Sequence, residues 1–278
     1  MDHLYRNLAP ISPPAWAAID AAAKQTLTRT LAARQLVDFS GPHGWDYSAI
    51  GLGRTAPLPA LVPGVDARLR KTQPLVEFAV PFTLARAEIE AIGRGGDADL
   101  DAVVEAARAA AHAEDRTVFG GCVDAGIEGI LSAAASWALP LADDYERYPK
   151  VVAAALTRLR QHGVDGPYAI ALGPRCYQGL TETTNKGGYP VMDLVRQQLD
   201  GRLVWAPAID GAVVLSTRGG DFDLVVGQDF AIGYARHDAD EVSLYLQQSI
   251  AFLVRTPEAA VPLLYAAPAA EPSVRGSR

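Results

Sequence analysis

The sequence predicts an α+β fold in which helix-rich stretches are separated from strand-rich ones, and three observations carry that prediction. Trp16, Ile19, Ala23, Leu27 and Leu31 recur at three- and four-residue spacing, the apolar stripe of an amphipathic helix. Residues 99–119 are rich in alanine, with Val103, Val104, Ala107 and Ala111 on one narrow face. Residues 241–254, EVSLYLQQSIAFLV, alternate well enough to form one long strand after several shorter strand-like runs. With 278 residues, the chain can build one large core or two compact lobes.

Taken in order, Ser12 is placed to cap the first helix, and Pro13 and Pro14 suit its first turn. Residues 41–64 are rich in Gly and Pro and carry Trp45 and Tyr47, which predicts an irregular, hairpin-like arm. LVEFAVPFTL, residues 75–84, reads as a strand, and Pro81 puts it at a sheet edge or a bulge. Asp99 is the expected cap of the alanine-rich helix. A further helix over 148–162 should stop at Gly163. A strand follows at 166–173, then two short helices at 174–183 and 190–199 around a Gly-Gly loop. Short strands are expected at 203–207, 212–216, 222–226 and 231–234. Residues 268–278 read as a flexible extension.

The formal net charge of −7 and the lack of a long basic run argue against a nucleic-acid partner. No apolar run is long enough to span a membrane. The N-terminus does not have the pattern of a signal peptide, and Cys122 and Cys176 are too few for a secreted disulfide framework, so a cytoplasmic setting is expected. A single bridge between them stays open.

No catalytic constellation emerges. Gly51, Gly53 and Ala56 mimic a dinucleotide fingerprint, but Pro57 and Pro59 break the helix that the motif needs. Asp97, Asp99 and Asp101 mimic the start of a calcium loop, yet Ala102 and Arg108 stand where Gly and Glu are required. His3, His43, His112, His162 and His237 are scattered, with no pair at zinc spacing. Glu114, Asp115 and Arg116 are expected to make intrahelical or intersubunit salt bridges. No catalytic residue, metal or cofactor is predicted.

Several segments, in a constant order, give the chain a family likeness. They are LYRNLAPISPPAW at the start, ARQLVDFSGPHGWDY from Ala33, PLVEFAVPFTLARAEIEAIGRG from Pro74, AEDRTVFGG, GIEGIL, GPYAIALG and RGGDFDLVVGQDFAIGYARHD from Arg218. Together they resemble the encapsulin shell proteins, bacterial compartment proteins with the HK97-type capsid fold of tailed phages. The resemblance implies an N-terminal helix at 1–40 that belongs to a peripheral domain, and an extended arm at 41–80 that interleaves with a neighbouring subunit. It further implies peripheral segments at 81–147 and 227–265, an axial domain at 148–226 and a tail at 266–278. A closed icosahedral homo-oligomer of roughly 60 copies is the smallest arrangement expected. A phage major capsid protein is the alternative with the same fold; a start so close to the matching segments argues against it. An enzyme such as a protease is the alternative from another class. Some encapsulins bind a flavin through an aromatic residue in the segment equivalent to 83–92, but TLARAEIEAI has none, so no flavin is expected.

The resemblance also implies a site. Encapsulins take up a C-terminal peptide of their cargo protein, a dye-decolourising peroxidase or a ferritin-like iron protein, in a groove on the inner wall. On this chain the helix side of that groove would offer Leu27, Leu31, Arg34 and Asp38. The strand side would offer Asp229, Phe230, Ile232 and Tyr234. The apolar residues would form pockets, and Arg34 and Asp38 would orient the peptide. The loop Thr183, Thr184, Asn185, Lys186, Gly187, Gly188 and Tyr189 would line the five-fold pore, with Lys186 where relatives often carry histidine.

Overall fold

The computed structural model describes residues 3–265, so the tail expected at 266–278 lies outside the described residues. Helix α1 (Pro13–Thr30) starts where the Ser12 hydroxyl accepts the Ala15 N–H, with Pro at the first helical positions. Its buried residues are Ala15, Ile19, Ala23 and Leu27, one face at a spacing of four. Each of the larger two contributes roughly 1.5–3 kcal/mol by leaving water. Leu31, just past the helix, is buried with them.

That face packs on α3 (Asp101–Gly120), where Val103, Ala107 and Ala111 are buried and Val104 is half-buried. The small side chains let the two helices approach closely. Asp99 does not cap α3, because the cap position is Leu100. Asp99 reaches the helix all the same, accepting the Asp101 N–H at 2.8 Å.

Beneath the helices lies a five-stranded sheet. Its axis is β13 (Glu241–Val254), the long strand expected from alternation. On one edge β4 (Val76–Ala85) runs antiparallel to residues 241–250 of β13. It pairs with β13 alone, which is why Pro81 is tolerated in it. On the other edge β12 (Ala231–His237) and β11 (Phe222–Val226) follow one another, and β1 (Asp38–Ser40) adds in parallel to β11.

The second five-stranded sheet has the order β7–β14–β10–β8–β9. Its strands are β7 (Leu139–Leu141), β8 (Tyr168–Leu172), β9 (Leu203–Trp205), β10 (Ala212–Ser216) and β14 (Ala260–Tyr265). Helices α5 (Tyr148–Gln161), α6 (Pro174–Glu182) and α7 (Val191–Arg196) pack around it. Gly163, at φ 71°, ends the chain's run through α5 as expected. At the turn from β8 into α6, a Cβ on Gly173 would meet the backbone carbonyls of Ile209 and Gly211, so no larger residue fits there.

Two expected boundaries differ from these ladders. β11 lies within 148–226 yet bonds to β13 in the first sheet, and β14 lies within 227–265 yet bonds to β10 in the second. The two halves are therefore stitched together by chain crossings. β13 itself puts Val242, Leu244 and Leu246 into one core and Ile250 and Phe252 into the other.

The arm is more regular than its composition suggests. β2 (Ala49–Leu58) and β3 (Ala67–Pro74) form a two-stranded antiparallel ribbon with a bulge between Gly51 and Thr55. The Gly51–Ala56 fingerprint is thus strand, with no helix to hold a phosphate. The remaining elements are short: α2 (Arg86–Gly93), α4 (Ile130–Ala133) and the hairpin of β5 (Gly121–Cys122) and β6 (Ile127–Glu128). No helix among the described residues is long and apolar enough to cross a membrane.

Candidate functional site

A cleft of about 630 Å³ opens between α1 and the start of β12. It gathers Leu27, Leu31 and Arg34 from the helix side with Asp229, Phe230 and Ile232 from the strand side. The floor is apolar: Ala23, Leu27, Leu31, Ile232 and Leu246 are all buried. Phe230 and Ala231 stand half-buried at the wall.

At its inner end the cleft is closed by ion pairing. A short 3-10 turn at Ala33–Gln35 carries Arg34 into position. Its guanidinium forks onto the Glu114 carboxylate, with Nε at 2.8 Å and Nη2 at 2.7 Å, and onto Asp229 at 2.7 and 3.2 Å. The rings of Phe39 and Phe230 lie 4.9 and 5.1 Å from it. Burial pulls the Arg34 pKa down, but the bonds and charges of Glu114 and Asp229 outweigh it, so the group is held firmly cationic. Glu114 is fully buried and also accepts from the Gln248 amide. Arg34 spends most of its five donors inside the chain and is chiefly the wall of the cleft.

Glu114 and Asp115 thus make tertiary bonds rather than the intrahelical or intersubunit bridges expected from their sequence. The Asp115 carboxylate accepts the N–H groups of Ala32 and Ala33 at 3.0 and 2.8 Å and so fixes the turn that aims Arg34. Burial pushes its pKa up to about 7, against the pull of those two donors. The folded chain then keeps a proton that the unfolded chain releases near pH 4. This group's contribution is therefore full below pH 4, and it falls as pH rises to about 7, by up to about 1.4 kcal/mol per pH unit. Asp115→Asn should flatten that part of a pH series of thermal midpoints.

Two expected groove residues lie elsewhere. Asp38 belongs to β1, and its carboxylate accepts the Gly220 N–H at 2.6 Å, tying a glycine turn where Gly219 and Gly220 have φ of 89° and 81°. The chain has turned away from the cleft by then. Tyr234 packs beside the α1 core, with its hydroxyl 2.6 Å from His237 Nδ1, and does not line the cleft. The rim residues Arg6, Asp20, Lys24, Thr28 and Gln35 were not anticipated. Their signal was the column Asp20, Lys24, Thr28 at spacing four, beside the apolar stripe.

The loop of Thr183–Tyr189 is exposed for most of its length and closed on itself. Asn185 Oδ1 accepts from Gly187 and Tyr189 N–H at 2.9 and 3.0 Å, Thr184 bridges to Pro190, and Gly188 turns at φ 78°. Lys186 is exposed at its tip. Cys122 and Cys176 are free thiols, and Cys176 is buried against the Tyr148 hydroxyl at 2.9 Å.

Comparison with known proteins bears on the whole chain. The family described as "Encapsulating protein for peroxidase" (Linocin_M18) matches residues 1–251. The "Type 1 encapsulin shell protein" of Rhodospirillum rubrum is 56% identical over 270 residues, covering 95% of this chain and 96% of that one. In solved structures, the virus-like particle from Pyrococcus furiosus superposes with a TM-score of 0.61 at 17% identity, over 88% of this chain and 97% of the other. The capsid of an empty GTA particle gives 0.54 at 14% identity, over 85% and 90%. The fold is therefore of the HK97 capsid type. The chain belongs to the encapsulin family, and it is a shell-forming structural protein, not an enzyme.

Proposed function

We propose that copies of this chain close into an icosahedral nanocompartment in the cytoplasm, and that each takes up the C-terminal peptide of a cargo protein in the α1–β12 cleft. The observation that carries the peptide reading is the cleft itself. Leu27, Leu31, Phe230 and Ile232 come together from segments about 200 residues apart to line one apolar trough with a charged end. Such a trough suits an extended peptide that seats alternate side chains in pockets. In this reading the first sheet with α1 and α3 forms the peripheral domain, the second sheet forms the axial domain, and the arm at 41–80 crosses to a neighbour. The loop Thr183–Tyr189 would line the five-fold pore and Lys186 would put a cation there. A peroxidase cargo is favoured by the description of the matching family, which names a peroxidase. The shell would then serve oxidative-stress defence, whereas a ferritin-like cargo would make it an iron store.

Phe230→Asp tests the cleft. It puts a charge on the apolar wall without touching the sheets' ladders. Cargo recovered with purified shells should fall at least about tenfold while particles of normal size still form, since burying an unpaired carboxylate costs several kcal/mol. Unchanged loading in intact shells would remove the cleft from consideration.

A further inference from the structure

The rim of the cleft has an uneven charge balance. At one end Arg6 is bound to Asp20 at 2.7 Å and stacks on Trp16 at 3.9 Å, so both charges there are already engaged. At the other end Arg34 is matched by Glu114 and Asp229. Lys24 lies between them on the exposed side of α1 and is paired with no carboxylate among the described residues. Its natural partner one turn earlier, Asp20, is taken by Arg6. The apolar floor runs directly beside it through Ala23 and Leu27.

Along α1, the stretch from Asp20 to Leu31 measures about 16 Å, the span of roughly five residues of extended peptide. The opposite wall is formed by Phe230, Ala231 and Ile232 at the start of β12, while farther along the strand the Tyr234 N–H is taken by the Leu4 carbonyl at 2.8 Å, so the cleft offers side-chain pockets at this end of β12.

We infer that Lys24 selects the occupant: the cleft is built for a short extended peptide that carries aliphatic residues for the floor and an acidic side chain opposite Lys24. This rests on the peptide-binding reading above and adds its charge specificity. Rim charges act mainly on partner choice, and an exposed pair of this kind changes occupancy severalfold.

The test is a loading competition during assembly in cells. Two fluorescent carriers of different colour end in the same leucine-containing peptide, one with glutamate and one with lysine at the variable position. They are expressed together with the full-length chain, and the colour ratio in purified shells is read. The wild-type shell should favour the acidic carrier by roughly fivefold, and Lys24→Glu should reverse the preference. An equal ratio in both shells, with both carriers loaded, would overturn the role of Lys24 and leave the cleft intact. If neither carrier is loaded by wild type, or if Phe230→Asp leaves both loaded, the cleft reading fails and this inference with it.

Discussion

Replacing Arg34 with methionine should destabilise the folded chain by about 3–5 kcal/mol, the cost of leaving one partner of a buried ion pair uncompensated. Glu114 has no exposed side-chain surface, and without Arg34 it would keep only the Gln248 amide. Water does not reach that carboxylate, because its side chain has no exposed surface and Gln248 beside it is itself buried. Asp229, by contrast, is 37% exposed and would simply solvate. The thermal midpoint of assembled shells should therefore fall by roughly 5–9 °C. Adding Glu114→Gln to Arg34→Met should recover more than half of the loss, because a neutral amide of the same shape needs no counter-charge. If the double variant is no better than Arg34→Met, the loss comes from packing of the guanidinium against Phe39 and Phe230. The cleft should suffer in both variants, since the same turn sets its inner wall.

That ion-pair network shows where sequence reasoning stops. Elements with a local signal were legible: the Ser12 cap and its two prolines, the stripe from Ile19 to Leu27, the alternation of β13 and the stop at Gly163. Pro81 marked an edge strand because proline lacks the N–H that an interior strand needs. Among the short elements, β9 to β12 were expected and are present, but β7 and β14 were missed. Their ladders come from elsewhere in the chain: β14 pairs with β10, and β7 with β14. α2 buries only Ile89, so its pattern gave no stripe. The site followed the same division. Leu27 and Leu31 were assigned to the groove through the family likeness, and both belong to the apolar stripe that the helix pattern shows. The partners of Arg34 lie 80 and 195 residues away, and no spacing rule links them. Asp38 was assigned through the family likeness, but the 3-10 turn at Ala33–Gln35 redirects the chain into β1 before that residue, and its carboxylate bonds to Gly220. Lys24 was visible in sequence but lay off the apolar stripe, the side usually read as plain solvated surface.

Removing the apolar character of the arm tip should abolish particles. Among the described residues the ribbon of β2 and β3 pairs with no other strand, and a lone two-stranded ribbon is at best marginally stable in water. Around its turn Leu58, Leu61, Val62, Val65 and Leu69 are 45%, 85%, 58%, 54% and 57% exposed, a concentration of aliphatic surface that a solitary chain would not keep. Its base is well fixed by comparison. Gln73 is buried and donates to the Ala125 carbonyl at 3.0 Å, while His43 and Gly44 bond to the carbonyls of Val226 and Gly227. The arm is thus anchored at its root and unpartnered at its tip, the arrangement expected if the tip is buried by a neighbouring subunit. Changing Leu61, Val62 and Val65 together to serine removes apolar surface worth roughly 1.5–3 kcal/mol per side chain wherever the contact forms. In a closed shell this loss repeats at every copy, so assembly should collapse to monomers or small oligomers by sedimentation velocity and electron microscopy. The chain itself should still fold, because none of these side chains belongs to either core, and its far-ultraviolet circular dichroism should match wild type. Normal particles from the triple-serine variant would show that the tip is not an assembly contact. An unfolded variant would instead show that the arm is needed by its own subunit. Single changes separate the contributions: Leu61→Ser, at the most exposed position of the five, should weaken assembly most, and Leu58→Ser, the least exposed of the aliphatic residues at the tip, should do so least.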